Sequence, residues 1–161
     1  MLWGEFEHSA PELAAMGRER FERAELALMD TLRSDRSPRI SPVEPYLVLG
    51  HLLLGMEWPT SKARDLVHDP RCALHSAVSD PDGADGEFKL YGRSLLVEDD
   101  AIVNGPYEAW WHGRQPEGYR VFSMGIESAA FIGWDIQADQ MRLIRWSLGN
   151  GVSDIVRPRP K

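Results

Sequence analysis

The apolar positions of this chain repeat with two different periods. Around Ala10–Arg20 they fall at helical spacing: Leu13, Met16 and Phe21 form one stripe, and Gly17 interrupts it. Ser9 has the chemistry of a helix N-cap, Pro11 stands in the first turn, and Glu12 follows the serine by three residues. A helix is therefore predicted over Ala10–Arg20. The residues before it, Met1–His8, read as an arm whose Trp3 and Phe6 are available to dock. From Phe21 to Leu32 the two periods compete. Propensity continues the helix through AELALMDTL, while Leu26, Leu28, Asp30 and Leu32 alternate on one side as in a strand.

Beyond Leu32 strands dominate. The polar run Arg33–Ser37 predicts a hairpin turn into a strand over Pro38–Pro45, whose prolines suit an edge or a bulge. Gly50 splits the next apolar run into Tyr46–Leu49 and His51–Gly55. Pro59, Thr60 and Ser61 then break the run and start a helix over Thr60–Asp69, which Pro70 ends. Arg71–Val78 reads as a strand, SDPDGADG as a turn-rich loop, and Glu87–Glu98 as a long alternating strand. Asp99 or Asp100 caps a helix through Trp111, unless Gly105-Pro106 delays its start to Tyr107. His112–Gly118 is loop. Tyr119–Trp134 and Gln137–Ser147 are closing strands, and residues 148–161 remain as a tail. Short strands with two or three interspersed helices predict one mainly β (α+β) domain over residues 1–161, a small antiparallel barrel carrying helices outside.

Composition narrows the function. The chain has 161 residues, 43% of them hydrophobic and 27% charged, the balance of a soluble globular domain. Its formal net charge of −7 argues against a general nucleic-acid binder, whose affinity comes from neutralising phosphates. The single cysteine, Cys72, allows no internal disulfide and no cysteine-based zinc site, and it reads as a small buried hydrophobe. The histidines lack metal-ligand spacing, so no metal is expected; His75, alternating with Ala73 and Ala77, is placed to face a cavity. No apolar run is long enough for a membrane span and no leader is visible, so a cytoplasmic location is expected. Nucleophile-elbow, P-loop and dinucleotide-binding patterns are missing as well.

The chemistry gathers around GMEWPTSKARDLVHDPR, residues 55–71. A strand that feeds a helix start through hydroxyls and a cation can receive phosphate. The first-turn amides lack partners, the helix dipole favours an anion, and Ser61 and Lys62 add a hydroxyl and a charge. The same Ser-Lys start is also what an ordinary cap beside a solvated lysine looks like.

The succession PRISPVEPYLVLGHLLLGMEWPTSKARDLVHDPRCALHS, followed by GEFKLYGR, resembles the FMN-binding split-barrel family related to pyridoxamine 5'-phosphate oxidase. The resemblance runs from Pro11 to the region of Trp146. It implies a six-stranded antiparallel split β-barrel with flanking helices, with Leu26–Leu32 as its first strand. It also implies FMN in a site at a homodimer interface, with a small-molecule redox substrate. By position, Arg39, Ile40, Ser41, Pro42 and Val43 form the strand along the flavin ring, and Gly55 and Met56 end the next strand near it. Thr60, Ser61 and Lys62 match the phosphate cradle, with Arg39 and Lys62 balancing its charge. Trp146 matches a tryptophan that borders the partner's flavin.

Two positions depart from the family pattern. Glu87 stands where oxidases carry a glutamine whose amide donates to the cofactor, and a carboxylate cannot donate unless protonated. The C-terminal stretch RWSLGNGVSDIVRPRPK lacks the arginine-and-histidine segment that holds the substrate phosphate of true pyridoxamine phosphate oxidases, which argues against vitamin B6 oxidation. Alternatives on the same fold are a reductase using deazaflavin F420 and a non-catalytic flavin or haem carrier. Trp58 flanks the phosphate loop, and Trp110-Trp111 cannot both be buried on one helical stripe.

Overall fold

A computed structural model describes residues 1–80, 83, 85–104 and 118–159. Its first residues are helical, not an extended arm: α1 spans Trp3–Ser9. Trp3 and Phe6 stand three apart and so share one buried face, and the Glu5 carboxylate accepts the Leu2 N–H at 2.7 Å to close the helix start. Because α1 uses Ser9 as its last residue, Ser9 does not cap the following helix. Ala10 takes the cap position of α2, Pro11–Ala24, with Pro11 in its first turn. The α2 helix ends on Glu25 in the left-handed region (φ 56°), whose N–H returns to the Phe21 carbonyl at 2.9 Å.

The competition over residues 21–32 is thus divided. Helix propensity holds to Ala24, and alternation takes over in β1, Ala27–Leu32. Ala27, Met29 and Thr31 face the core, and the predicted leucine side, Leu26 and Leu28, is exposed.

The remaining elements are β2 (Pro38–Val43), β3 (Pro45–Val48), β4 (His51–Glu57), α3 (Ser61–His68), β5 (Arg71–Ser76), β6 (Glu87–Leu96), β7 (Tyr119–Asp135), β8 (Gln140–Ser147) and β9 (Gly151–Pro158). Asp99 caps a helical turn at residues 100–104 by accepting the Ala101 N–H at 2.9 Å. The rest of that predicted helix, with Trp110-Trp111 and the loop at His112, lies outside the described residues.

All pairings are antiparallel, in the order β2-β1-β5-β6-β7-β4-β3. The long β7 strand explains the split. Along one edge it stays with β6, while along the other it pairs first with β4 and then with β8. Among the described residues nine strands form, where six were expected. One addition is the predicted tail: Gly151–Pro158 pairs with β8 from Gly151↔Ser147 to Pro158↔Gln140. The turn SLGNG makes this possible, since Gly149 and Gly151 both take positive φ (88° and 70°).

The core lies between the helices and the inner sheet face. Trp3 packs edge-on to Phe6 (5.5 Å), Phe6 to Trp146 (5.1 Å), and Phe21 to Phe88 (5.7 Å). Each fully buried ring contributes about 1.5–3 kcal/mol relative to exposure. Together they clamp both N-terminal helices to β6 and β8. Among the described residues no helix is long and apolar enough to cross a membrane.

Candidate functional site

The sheet order leaves a seam between β2 and β4, which are not paired to each other, and α3 begins at that seam. Thr60, the residue before the helix, has extended backbone (φ −60°, ψ 157°). Its hydroxyl donates to the Glu57 carbonyl at 2.7 Å, and no side chain caps the first turn. The leading amides of α3 therefore lack a capping side chain among the described residues.

Helical geometry sorts the side chains of α3. Ser61, Arg64, Asp65 and His68 recur at three and four residues and face one hollow of about 440 Å³, shared with Arg33 and Arg39. Lys62 lies about 100° further round the helix. It faces a second hollow of about 320 Å³ at the seam, with Pro42, Val43, Gly55, Met56 and Thr60. Of the residues predicted from the sequence, six thus line the seam hollow, and Arg39 and Ser61 line its neighbour.

Arg39 and Lys62 do not share a hollow, which corrects the expectation that they jointly balance a phosphate. Arg39 Nε donates to Asp65 Oδ2 at 2.7 Å, an oxygen that also accepts the Thr31 hydroxyl at 2.9 Å. Lys62 Nζ donates to the Pro42 carbonyl at 2.8 Å. Burial lowers its pKa, against the opposing pull of Glu44 and Glu57. Of the arginines lining the Ser61 hollow, Arg33 and Arg64 are those without an ion-pair partner among the described residues, and the sequence reading passed over both. Arg64 was accessible to it, standing three residues after Ser61. Arg33 was not, because only the β1–β2 register carries the hairpin turn to α3.

The other predicted residues lie elsewhere. Ile40 points outward and is 66% exposed, and Ser41 is half-buried on the face opposite it. Glu87 has both oxygens occupied, Oε1 by Lys89 at 2.8 Å and Oε2 by His75 Nε2 at 3.0 Å. Burial alone would raise its pKa, but these two bonds outweigh burial and hold the carboxyl below the usual range. Glu87 is therefore an acceptor already engaged, and His75 is engaged with it. The Trp146 ring is buried within its own chain. Alternation on β8 turns it inward opposite Ala129, where it is 4% exposed against Phe6. Among the described residues no cluster of three or more metal-ligating side chains forms.

No protein-family model and no curated protein matches the sequence. Solved structures do match the fold. PhzG from Burkholderia lata 383, in complex with tetrahydrophenazine-1-carboxylic acid, superposes with a TM-score of 0.69 at 10% identity, over 98% of this chain and 93% of that one. A pyridoxamine 5'-phosphate oxidase-related, FMN-binding protein from Nostoc punctiforme PCC 73102 gives 0.65 at 10% identity, over 92% and 95%. HutZ, a haem storage protein from Vibrio cholerae, gives 0.58 at 15% identity, over 74% and 90%. The mostly antiparallel sheet and the flanking helices match these proteins: the chain has the split-barrel fold of the pyridoxamine 5'-phosphate oxidase-like proteins.

Proposed function

We propose that this chain binds FMN as a homodimer and uses it for redox chemistry on a small molecule. The observation that carries the reading is the uncapped start of α3 beside Arg33, Arg39, Ser61 and Arg64, where three guanidiniums face the two carboxylates of Asp35 and Asp65. That donor set fits a phosphate monoester. The amides and the Ser61 hydroxyl supply hydrogen bonds, Arg64 and Arg33 supply planar forks, and the dipole adds to both. Asp65 holds Arg39 in place. In the seam hollow, Lys62, Thr60, Gly55 and Met56 are the next residues available to the cofactor.

When bound, the flavin itself supplies the electron-transfer chemistry, and the chain supplies binding and electrostatics. Glu87 adds acceptors only. Exposed Leu26, just before β1, Leu28 on its outer side and Ile40 of β2 support the reading as apolar surface for a second subunit to cover. The buried thiol of Cys72 accords with a cytoplasmic setting.

The test is the absorbance spectrum of the purified protein, followed by titration of FMN and of F420 into the apo form. FMN binding is expected to weaken about tenfold, or about 1.4 kcal/mol, in both Ser61→Ala and Arg64→Ala. No binding of FMN, or unchanged affinity in both variants, overturns the reading; preference for F420 replaces the cofactor. The occupied carboxylate of Glu87 favours a second reading, non-catalytic carriage of flavin or haem. Carriage prevails if reconstituted protein, once reduced with NAD(P)H or dithionite, is reoxidised by no acceptor.

A further inference from the structure

A separate hollow, of about 600 Å³, opens between the C-terminal end of α2 and the junction of β2 with β3. We propose that it binds an arylalkyl ammonium, a protonated amine carried on a flat apolar body. This goes beyond the flavin reading and does not depend on it. The hollow meets the seam at Leu26 and Glu44, but none of the residues assigned to the cofactor lines it.

The walls give the first reason. Phe21, Ala24, Pro45, Tyr46 and Leu47 make them apolar. The space exists because Glu25 turns left-handed and stops α2, while Pro45 starts a new strand beyond Glu44. Phe21 is fixed from behind, 2% exposed with its ring edge-on to Phe88. A flat apolar body fits such walls, and the volume lies in the range of small-molecule sites.

Charge gives the second. Glu22, Glu25 and Glu44 line the hollow and no basic side chain does. Glu22 is shared with Arg18 at 3.2 Å, an exposed pair of the weak kind. Glu44 is partly offset by Lys62, which lines the seam instead. Glu25 has no ion-pair partner among the described residues and is the principal anchor. A carboxylate ligand would meet only like charge here.

The helix end gives the third. The Glu25 N–H returns to the Phe21 carbonyl, and the carbonyls that follow have no intrahelical donor. They form the negative end of the α2 dipole, which favours a cation. An ammonium has three donors and no acceptor, so it can take the Glu25 carboxylate and a carbonyl together. Tyr46 brings an aromatic ring to the same walls, and ring faces attract cations.

The probe is 2-naphthylmethylamine, with neutral 2-naphthylmethanol as its control, titrated calorimetrically into the full chain at low salt. The site predicts amine binding that salt weakens and that the alcohol does not reproduce. Glu25→Gln is expected to weaken the amine about tenfold, and Glu44→Gln to weaken it less. Ala24→Leu should abolish binding by filling the space without changing a charge, whereas a general attraction to a chain of net charge −7 would survive it; thermal melts of each variant verify folding. No binding of the amine, equal binding of the alcohol, or unchanged affinity in Glu25→Gln overturns the proposal. So does an oligomer that both Glu25→Gln and Ala24→Leu dissociate, since a second copy would then be the occupant. One-for-one displacement of the amine by FMN also overturns it, by making the hollow part of a flavin site. FMN titration of Glu25→Gln tests the cofactor reading separately, so the two can fail independently.

Discussion

Gly17 sits in the middle of α2, where intrinsic propensity says alanine is better by about 0.8–1 kcal/mol. The packing says the opposite. A methyl at that position would stand 2.5 Å from both Cε1 and Cζ of Phe88 and 3.0 Å from Cδ1. Phe88 cannot retreat easily: its ring is fully buried and set edge-on to Phe21 at 5.7 Å. Overpacking of this kind costs about 1–3 kcal/mol, and more where no rotamer relieves it. After the helix gain is deducted, Gly17→Ala should destabilise by up to about 2 kcal/mol. For a domain of this size that lowers Tm by up to roughly 4–8 °C, read by calorimetry or circular dichroism. The cause is separable from a general intolerance by a double-mutant cycle. With the ring cut back in Phe88→Leu, adding Gly17→Ala should become neutral or stabilising. A wild-type-background Tm that rises on Gly17→Ala, or a cycle with no coupling, refutes the reasoning.

Three further outcomes are expected. Gly92→Ala should cost more than about 3 kcal/mol, or prevent folding, since its Cβ would lie 2.0 Å from the Gly125 carbonyl oxygen at the β6 bulge, where only backbone could move; soluble yield and urea midpoint read this. Cys72 lies beside Ser94, and burial pushes its thiol up to about 11, so iodoacetamide at pH 8 should leave it unmodified in the native state and label it fully in urea, as mass spectrometry would report. Glu87 has a folded-state pKa below its unfolded value, so its bonds to His75 and Lys89 stabilise above the ordinary carboxylate range and are lost as pH falls through the folded value. Urea midpoints of Glu87→Gln should therefore converge with wild type as pH drops below about 4, and a constant gap at all pH values would contradict this.

Local chemistry carried much of the fold. The PTS start of α3, the alternation of Phe88 and Leu90 in β6, and the glycine-split hairpin at Gly50 needed only neighbouring residues, and each forms. Trp3 and Phe6 announced a docked N-terminus but not its helical form, because seven residues hold no helix without the sheet beneath them. The run 148–161 read as a tail because its start is rich in turn residues and its end is basic, and its Val152, Ile155 and Val156 are indeed exposed. What makes Gly151–Pro158 a strand is the hydrogen-bonding edge of β8, which no local pattern reveals.

By composition and spacing alone, the chain specified an antiparallel barrel with a helix entering where hydroxyls and cations meet. Tertiary structure alone decided which cations meet. The turn of α3 puts Ser61 and Arg64 on one side and Lys62 on another, and Asp65 claims Arg39 from across the β1–β2 hairpin. It also decided that Trp146 belongs to the core and that Glu25 and Glu44 line one hollow. Helix and strand preferences act between residues a few positions apart and can be read along a line. Ion pairing and cavity lining depend on through-space distances across strand registers, and those exist only once the sheet has closed.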